Sequence, residues 1–155
     1  EGHLDQSIFS REILNEKNGP PPEINLFNEK NNGETILKLI DKKFVKSAHD
    51  VSLGGIITAL TKMCIKGKKG VTLKKPNYLI NQFEYLFGED QGRYIVEIAK
   101  KDLKNVTEIL EKNSVHYDEL GTVGNNELII DDKSKVSIDD LMKSHTNWLT
   151  NYMSK

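Results

Sequence analysis

The segment Ser47-Ala48-His49-Asp50-Val51-Ser52-Leu53-Gly54-Gly55 carries the residue types best suited to chemistry in this 155-residue chain. Paired glycines let backbone amides approach an anion closely. A helix starting after them would aim its amide-rich, partly positive end at the same spot. Asp50 can hold Mg²⁺ through a carboxylate oxygen. Ser52 can donate to a phosphate oxygen, and His49 can donate to an anion or pass a proton. The pattern therefore suits a phosphate or metal-phosphate site. It is not a Walker or dinucleotide fingerprint, and a plainer role fits the same residues. Asp50 and Ser52 would then cap the helix, and Gly54 and Gly55 would only allow close packing.

Two other segments hold polar groups at suggestive spacing. In Leu86-Phe87-Gly88-Glu89-Asp90-Gln91-Gly92-Arg93 an acidic pair precedes an arginine at the start of a strand pattern. Glu89 could pair with Arg93 structurally, or Arg93 could face a phosphate. Gly2-His3-Leu4-Asp5-Gln6-Ser7 could be an anion-binding turn or simply a helix N-cap. His116 and His145 stand alone and read as surface or partly packed residues. There is no CxxC, HExxH or nucleophile elbow.

Several elements must position these groups. Residues 44–48 read as a short strand, and apolar positions over 56–66 predict a buried helix. The order is therefore strand, glycine-bearing loop, helix. Residues 93–99 alternate as a strand. Residues 5–17 predict a helix with Ile8, Phe9, Ile13 and Leu14 on one face, ended by Asn18-Gly19 and three prolines. Residues 24–43 predict another, with a candidate break at Asn31-Asn32-Gly33. A weak strand is expected at 71–73 and a short helix or turn at 77–87. Asp102 can cap a helix reaching Asn113, with Leu103, Val106, Ile109 and Leu110 inward. Residues 115–123 and 127–130 are strand candidates around Gly124-Asn125-Asn126. Ser137-Ile138-Asp139-Asp140 resembles a capping box opening a final helix that bears Trp148, Leu149 and Tyr152. These strand candidates, interleaved with five or six helices, predict a mixed α/β domain, helices packed on a mixed sheet. The strand–helix doublet over 93–131 hints at a partly ferredoxin-like βαβ core.

Composition narrows the function. The length suits one ordinary domain. Hydrophobic residues at 37% and charged residues at 29% suit a soluble folded chain. A net charge of -1 argues against a dedicated nucleic-acid binder. The single cysteine, Cys64, can form no disulfide within the chain, which suits a reducing cytosol, and its apolar neighbours make it a small buried hydrophobe. No apolar run approaches the ~20 residues of a membrane span, and the start has no signal-peptide layout. A start without Met, inside what looks like a motif, suits an excised fragment.

The motifs GHLDQSIFSREIL, NGPPPEINL, SAHDVSLGG, LFGEDQGRYIVEI and LGTVG follow one another with compatible gaps over nearly the whole chain. In this the chain resembles the C-terminal domain of phosphoribosylformylglycinamidine synthase, the large synthetase subunit. That domain type is shared with aminoimidazole ribonucleotide synthetase, thiamine-monophosphate kinase and selenophosphate synthetase. The resemblance implies an AIR synthase C-terminal-domain-like fold, with residues 1–155 as a single domain cut from a larger multidomain ligase. The complete ligase would use ATP and Mg²⁺ in de novo purine biosynthesis. It would convert formylglycinamide ribonucleotide and glutamine-derived ammonia to formylglycinamidine ribonucleotide. Implied partners are the remaining synthetase domains, a glutaminase subunit and a small accessory subunit, in the cytoplasm, without nucleic acid or membrane. The family's catalytic histidines and main ATP and Mg²⁺ ligands lie mostly in other domains. The isolated domain is therefore expected to be inactive, to bind ATP–Mg²⁺ weakly or not at all, and to hold no catalytic residue.

The ligand contacts that the resemblance implies are His49, Asp50, Ser52, Gly54, Gly55 and Arg93, with Asp50 as metal ligand. Glu89 would orient Arg93, and Ser7 would lend support. Two departures stand out. The related loop commonly reads HDVSDGG, with an acidic residue where this chain has Leu53. The first motif commonly has glycine where this chain has Asp5. Both fit a copy that has become structural, or one that binds nucleotide without turning it over. A purely structural or interaction domain with a decayed ligand loop is the alternative.

Overall fold

The computed structural model describes residues 2–74, 76, 80–132 and 134–154. In chain order the main elements are α1 (Leu26–Asp41), β1 (Val45–Val51), α2 (Gly55–Gly67), β2 (Val71–Leu73) and α3 (Gln82–Phe87). Then follow β3 (Arg93–Ile98), α4 (Leu103–Lys112), β4 (Gly121–Val123), β5 (Glu127–Ile130), β6 (Ser134–Ser137) and α5 (Ile138–Met153). Part of the predicted 77–87 helix, residues 77–79, lies outside the described residues. The chain divides into two compact units, one of Glu1–Ala59 with Tyr78–Asp118 and one of Leu60–Asn77 with Glu119–Lys155.

In the first unit, caps decide where helices begin. Asn25 opens α1 by accepting the Asn28 amide at 3.0 Å, and Asn81 opens α3 by accepting that of Phe83 at 2.8 Å. The predicted break at 31–33 does not occur. Asn31 Nδ2 donates to the Asn113 carbonyl at 2.8 Å and Asn32 Nδ2 to that of Gly92 at 3.0 Å. These two bonds help offset the roughly 1 kcal/mol that a mid-helix glycine costs. The helix expected over 5–17 shrinks to a short turn ending in a wide π segment, Ser10–Leu14, closed by Asn15 at φ 56°. Ile13 and Leu14 are exposed, contrary to a shared buried face. Phe9 instead stacks on Phe87, ring centroids 4.5 Å apart.

Strands β1 and β3 pair antiparallel, with Val51 opposite Arg93, Asp50 opposite Tyr94 and His49 opposite Ile95. Leu39, Val106 and Leu110 form a buried cluster against Phe44, Val45, Ile98 and Ile109. Val106 and Leu110 are buried but Leu103 is 42% exposed, so only part of the predicted α4 face turns inward.

The second unit holds a mixed sheet in the order β4-β2-β5-β6, with β2 parallel to β5 and the other pairs antiparallel. The strands thus form two sheets, and a mixed one is present as expected. The ferredoxin-like βαβ core does not form over 93–131, because β3 pairs with β1 while β4 and β5 pair in the other sheet. The predicted strand from Val115 is also shorter. The Val115 amide closes α4 on Leu110 O at 2.9 Å, and pairing starts only at Gly121. Strand β6 carries no strand signal in the sequence, because Ser-Lys-Val-Ser is a polar edge strand without apolar alternation.

Ser137 caps α5 as expected, its Oγ accepting the Asp140 amide at 3.0 Å. The buried residues here include Leu60, Cys64, Leu73, Leu128 and Ile138. Burial pushes the Cys64 thiol pKa up, in keeping with a small hydrophobe. On α5, Trp148, Leu149 and Tyr152 remain exposed. Among the described residues no helix is long and apolar enough to cross a membrane.

Candidate functional site

The strand β1 runs on through His49, Asp50 and Val51, so the loop is only Ser52–Gly54. Strand alternation leaves Asp50 exposed and His49 partly buried, with His49 Nδ1 3.3 Å from Asp50 Oδ1. Gly54 and Gly55 then take φ +82° and +69°, two consecutive left-handed residues that a side chain would strain. A Cβ on Gly55 would lie 2.6 Å from Leu86 O and 2.7 Å from Phe87 Cα, so the missing side chain lets α2 start against the end of α3.

The amides of this turn have internal partners. Gly55 N–H donates to Ser52 O at 3.0 Å. Gly54 N–H donates to Glu89 Oε1 at 2.7 Å, and the same oxygen accepts Ile8 N–H at 2.9 Å. Asp90 Oδ2 accepts Gly2 N–H at 2.8 Å, and its carboxylate faces Arg93 Nη2 at 3.6 Å. Arg93 also donates to Gly88 O at 2.6 Å and Asp90 O at 3.2 Å. The expected orientation of Arg93 by Glu89 is corrected accordingly. Asp90 is the carboxylate set against Arg93, because the 88–92 loop folds back over the start of β3, while Glu89 turns to backbone amides.

Asp90 should make stability pH-dependent. Burial pushes its pKa up, but the Gly2 amide, the Arg93 guanidinium and the His3 amide outweigh this and hold it below the usual carboxylate range. The folded value lies below the unfolded one, about 3.9. Ionised Asp90 therefore stabilises the fold above the unfolded pKa, and that contribution is lost as pH falls through the folded pKa. Asp90→Asn should unfold at lower urea than the parent at neutral pH, with the gap shrinking below about pH 4. A gap that stays constant down to acid pH would exclude this role.

A cleft of about 330 Å³ opens beside the loop in the first unit, with Asp5, Glu29, Asp50, Ser52, Glu89 and Arg93 in its lining. Of the predicted contacts, Asp50, Ser52 and Arg93 come together here, and Glu89 joins them. His49 does not line the cleft; its Nδ1–H donates to Asp50 O at 2.6 Å. Gly54 and Gly55 are buried behind the loop. Ser7 is 0% exposed and acts as a cap, its Oγ accepting the Ser10 amide at 3.1 Å. Asp5, from the candidate anion-binding turn, also lines the cleft, and Glu29 joins it without any signal in the sequence. Only the tertiary placement of α1 puts Glu29 in the same lining as Asp50.

Among the described residues, four carboxylates against one guanidinium give the cleft a negative bias. As a magnesium site the donor set falls short. Asp50 offers one carboxylate, 66% exposed, and among the described residues no three His, Cys, Asp or Glu side chains gather to hold a metal.

The profile of the family described as "AIR synthase related protein, C-terminal domain" matches residues 6–133. The chain belongs to this family. The match runs through both compact units. This AIR synthase related domain is 84% identical over 153 residues to the phosphoribosylformylglycinamidine synthase subunit PurL of Pelagibacter ubique (strain HTCC1062), covering 99% of this chain and 21% of that protein. Identity to the same-named subunit of Bartonella quintana (strain Toulouse) is 41%, with the same coverage of 99% and 21%. The chain thus spans about a fifth of the length of these relatives. Among solved structures, Thermotoga maritima PurL complexed with FGAR matches with TM-score 0.66 and 21% identity, over 77% of this chain and 21% of that one. Phosphoribosylformylglycinamidine synthase II from Thermotoga maritima matches with TM-score 0.68 and 20% identity, over 91% and 24%. At such identity the likeness concerns the AIR synthase related fold.

Proposed function

We propose that this chain is one AIR synthase related C-terminal domain of a phosphoribosylformylglycinamidine synthase, a ligase of purine biosynthesis, and works as part of the longer polypeptide. The observation that carries this is 84% identity over 99% of the chain to a subunit of that name. The reaction would join glutamine-derived ammonia to formylglycinamide ribonucleotide at the expense of ATP, in the cytoplasm. Solved relatives described as complexed with ATP, ADP and AMPPCP support that nucleotide for the whole enzyme. The remaining synthetase domains, a glutaminase subunit and a small accessory subunit are its proposed partners. A solved relative described as PurLQS supports an assembly of this kind.

Within the domain, Asp50 and Ser52 are the proposed polar ligand contacts, with Arg93 behind them. The negative lining opposes a bare phosphate. A phosphorylated ligand would need cationic groups or Mg²⁺ supplied from outside this chain. In the full-length enzyme, Asp50→Ala and Ser52→Ala should each lower kcat/KM by about 10- to 100-fold, the worth of one charge-assisted or buried polar contact. Unchanged kinetics with lowered stability would favour the second reading, a structural or interaction domain. That reading draws support from the burial of Gly54 and Gly55 and the internal partners of their amides.

A further inference from the structure

Three stretches far apart in sequence meet at one oxygen. Glu89 Oε1 accepts Gly54 N–H at 2.7 Å and Ile8 N–H at 2.9 Å, across 35 and 81 residues. The first amide sits in the left-handed turn before α2. The second opens the turn capped by Ser7, where early amides have no acceptor within their own helix. Glu89 is itself fixed, since its backbone N–H donates to His3 O at 2.9 Å. A carboxylate makes stronger bonds to such amides than a neutral acceptor does.

We propose that Glu89 is a positioning residue whose charge clamps the Ser52–Gly54 turn to the Ile8 segment and so shapes one wall of the cleft. It takes the place that an anion from solution would otherwise fill between these amides. A ligand in the cleft then meets the turn through Asp50 and Ser52 and not through the Gly54 amide. That last consequence rests on the function proposed above; the clamp does not.

The test compares Glu89→Ala, Glu89→Gln and the parent chain by thermal melting, in sodium chloride and in sodium formate of equal ionic strength. Glu89→Ala should melt roughly 6 °C or more below the parent in chloride, and Glu89→Gln by less, since it keeps an oxygen acceptor. Formate, a carboxylate small enough for the vacated space, should restore about half or more of the Glu89→Ala loss and leave the parent unmoved. Formate moving all three chains alike, or an alanine variant as stable as the parent, would show that Glu89 is no clamp. Should Glu89→Ala fold in neither salt, amide hydrogen exchange in Glu89→Gln decides. Gly54 and Ile8 should exchange about tenfold faster than in the parent, and equal protection would refute the clamp. No readout here depends on catalysis, so failure would leave the Asp50 and Ser52 kinetics to be judged separately.

Discussion

Gly55→Ala is expected to cost roughly 2–5 kcal/mol of folding stability, the sum of two effects with different origins. The backbone at φ +69° charges an L-residue about 1–2 kcal/mol for the left-handed conformation. The new methyl would also press on Leu86 O at 2.6 Å and Phe87 Cα at 2.7 Å. Those are backbone atoms, so no rotamer change relieves the overlap, and α2 or α3 must move. Urea unfolding would show a lower midpoint with an unchanged slope. Gly67→Ala serves as the control, since a Cβ there meets nothing within 4 Å. A loss at Gly55 below about 1 kcal/mol would mean that the junction between β1 and α2 is looser than this geometry.

Leu39→Ala is expected to cost about 2–5 kcal/mol. Leu39 is fully buried, at four-residue spacing from Thr35, which is also fully buried. It packs with Val106 and Leu110 of α4, and with Phe44, Val45 and Ile98 around them. The leucine two residues earlier provides the contrast. Leu37 is 61% exposed, and Leu37→Ala should stay within about 0.5 kcal/mol of the parent. Similar losses at both positions would contradict the inward face assigned to α1.

The contrast between these leucines also marks what a single sequence can disclose. Ile36, Leu37, Leu39 and Ile40 announced a helix, but not which side of it would be covered. The strand–turn–helix around Asp50 was legible because alternation gives way to helical spacing across two glycines. The strand pattern stops at Ala48, short of Asp50, a poor strand former; pairing with Tyr94 and Ile95 carries the strand on to Val51. The role of Glu89 is hidden from the sequence for a related reason. An arginine four residues along suggested a local partner, whereas its acceptor oxygen serves backbone amides 35 and 81 residues away. Every residue type offers such amides, so composition gives no hint of them. The lining role of Glu29 was hidden in the same way, because it depends on where α1 lies. The family was legible from five ordered motifs, and the profile match over 6–133 agrees with them.

The ties between the first residues and the 88–90 loop have a consequence for how the chain is made. Gly2 finds its acceptor 88 residues later and Ile8 finds its own 81 residues later. At about 5–20 residues per second, a ribosome needs roughly 4 to 18 seconds to deliver those acceptors. Over that interval residues 2–8 lack these two carboxylates, so the bonds from Gly2 and Ile8 can form only after residues 89 and 90 have been made.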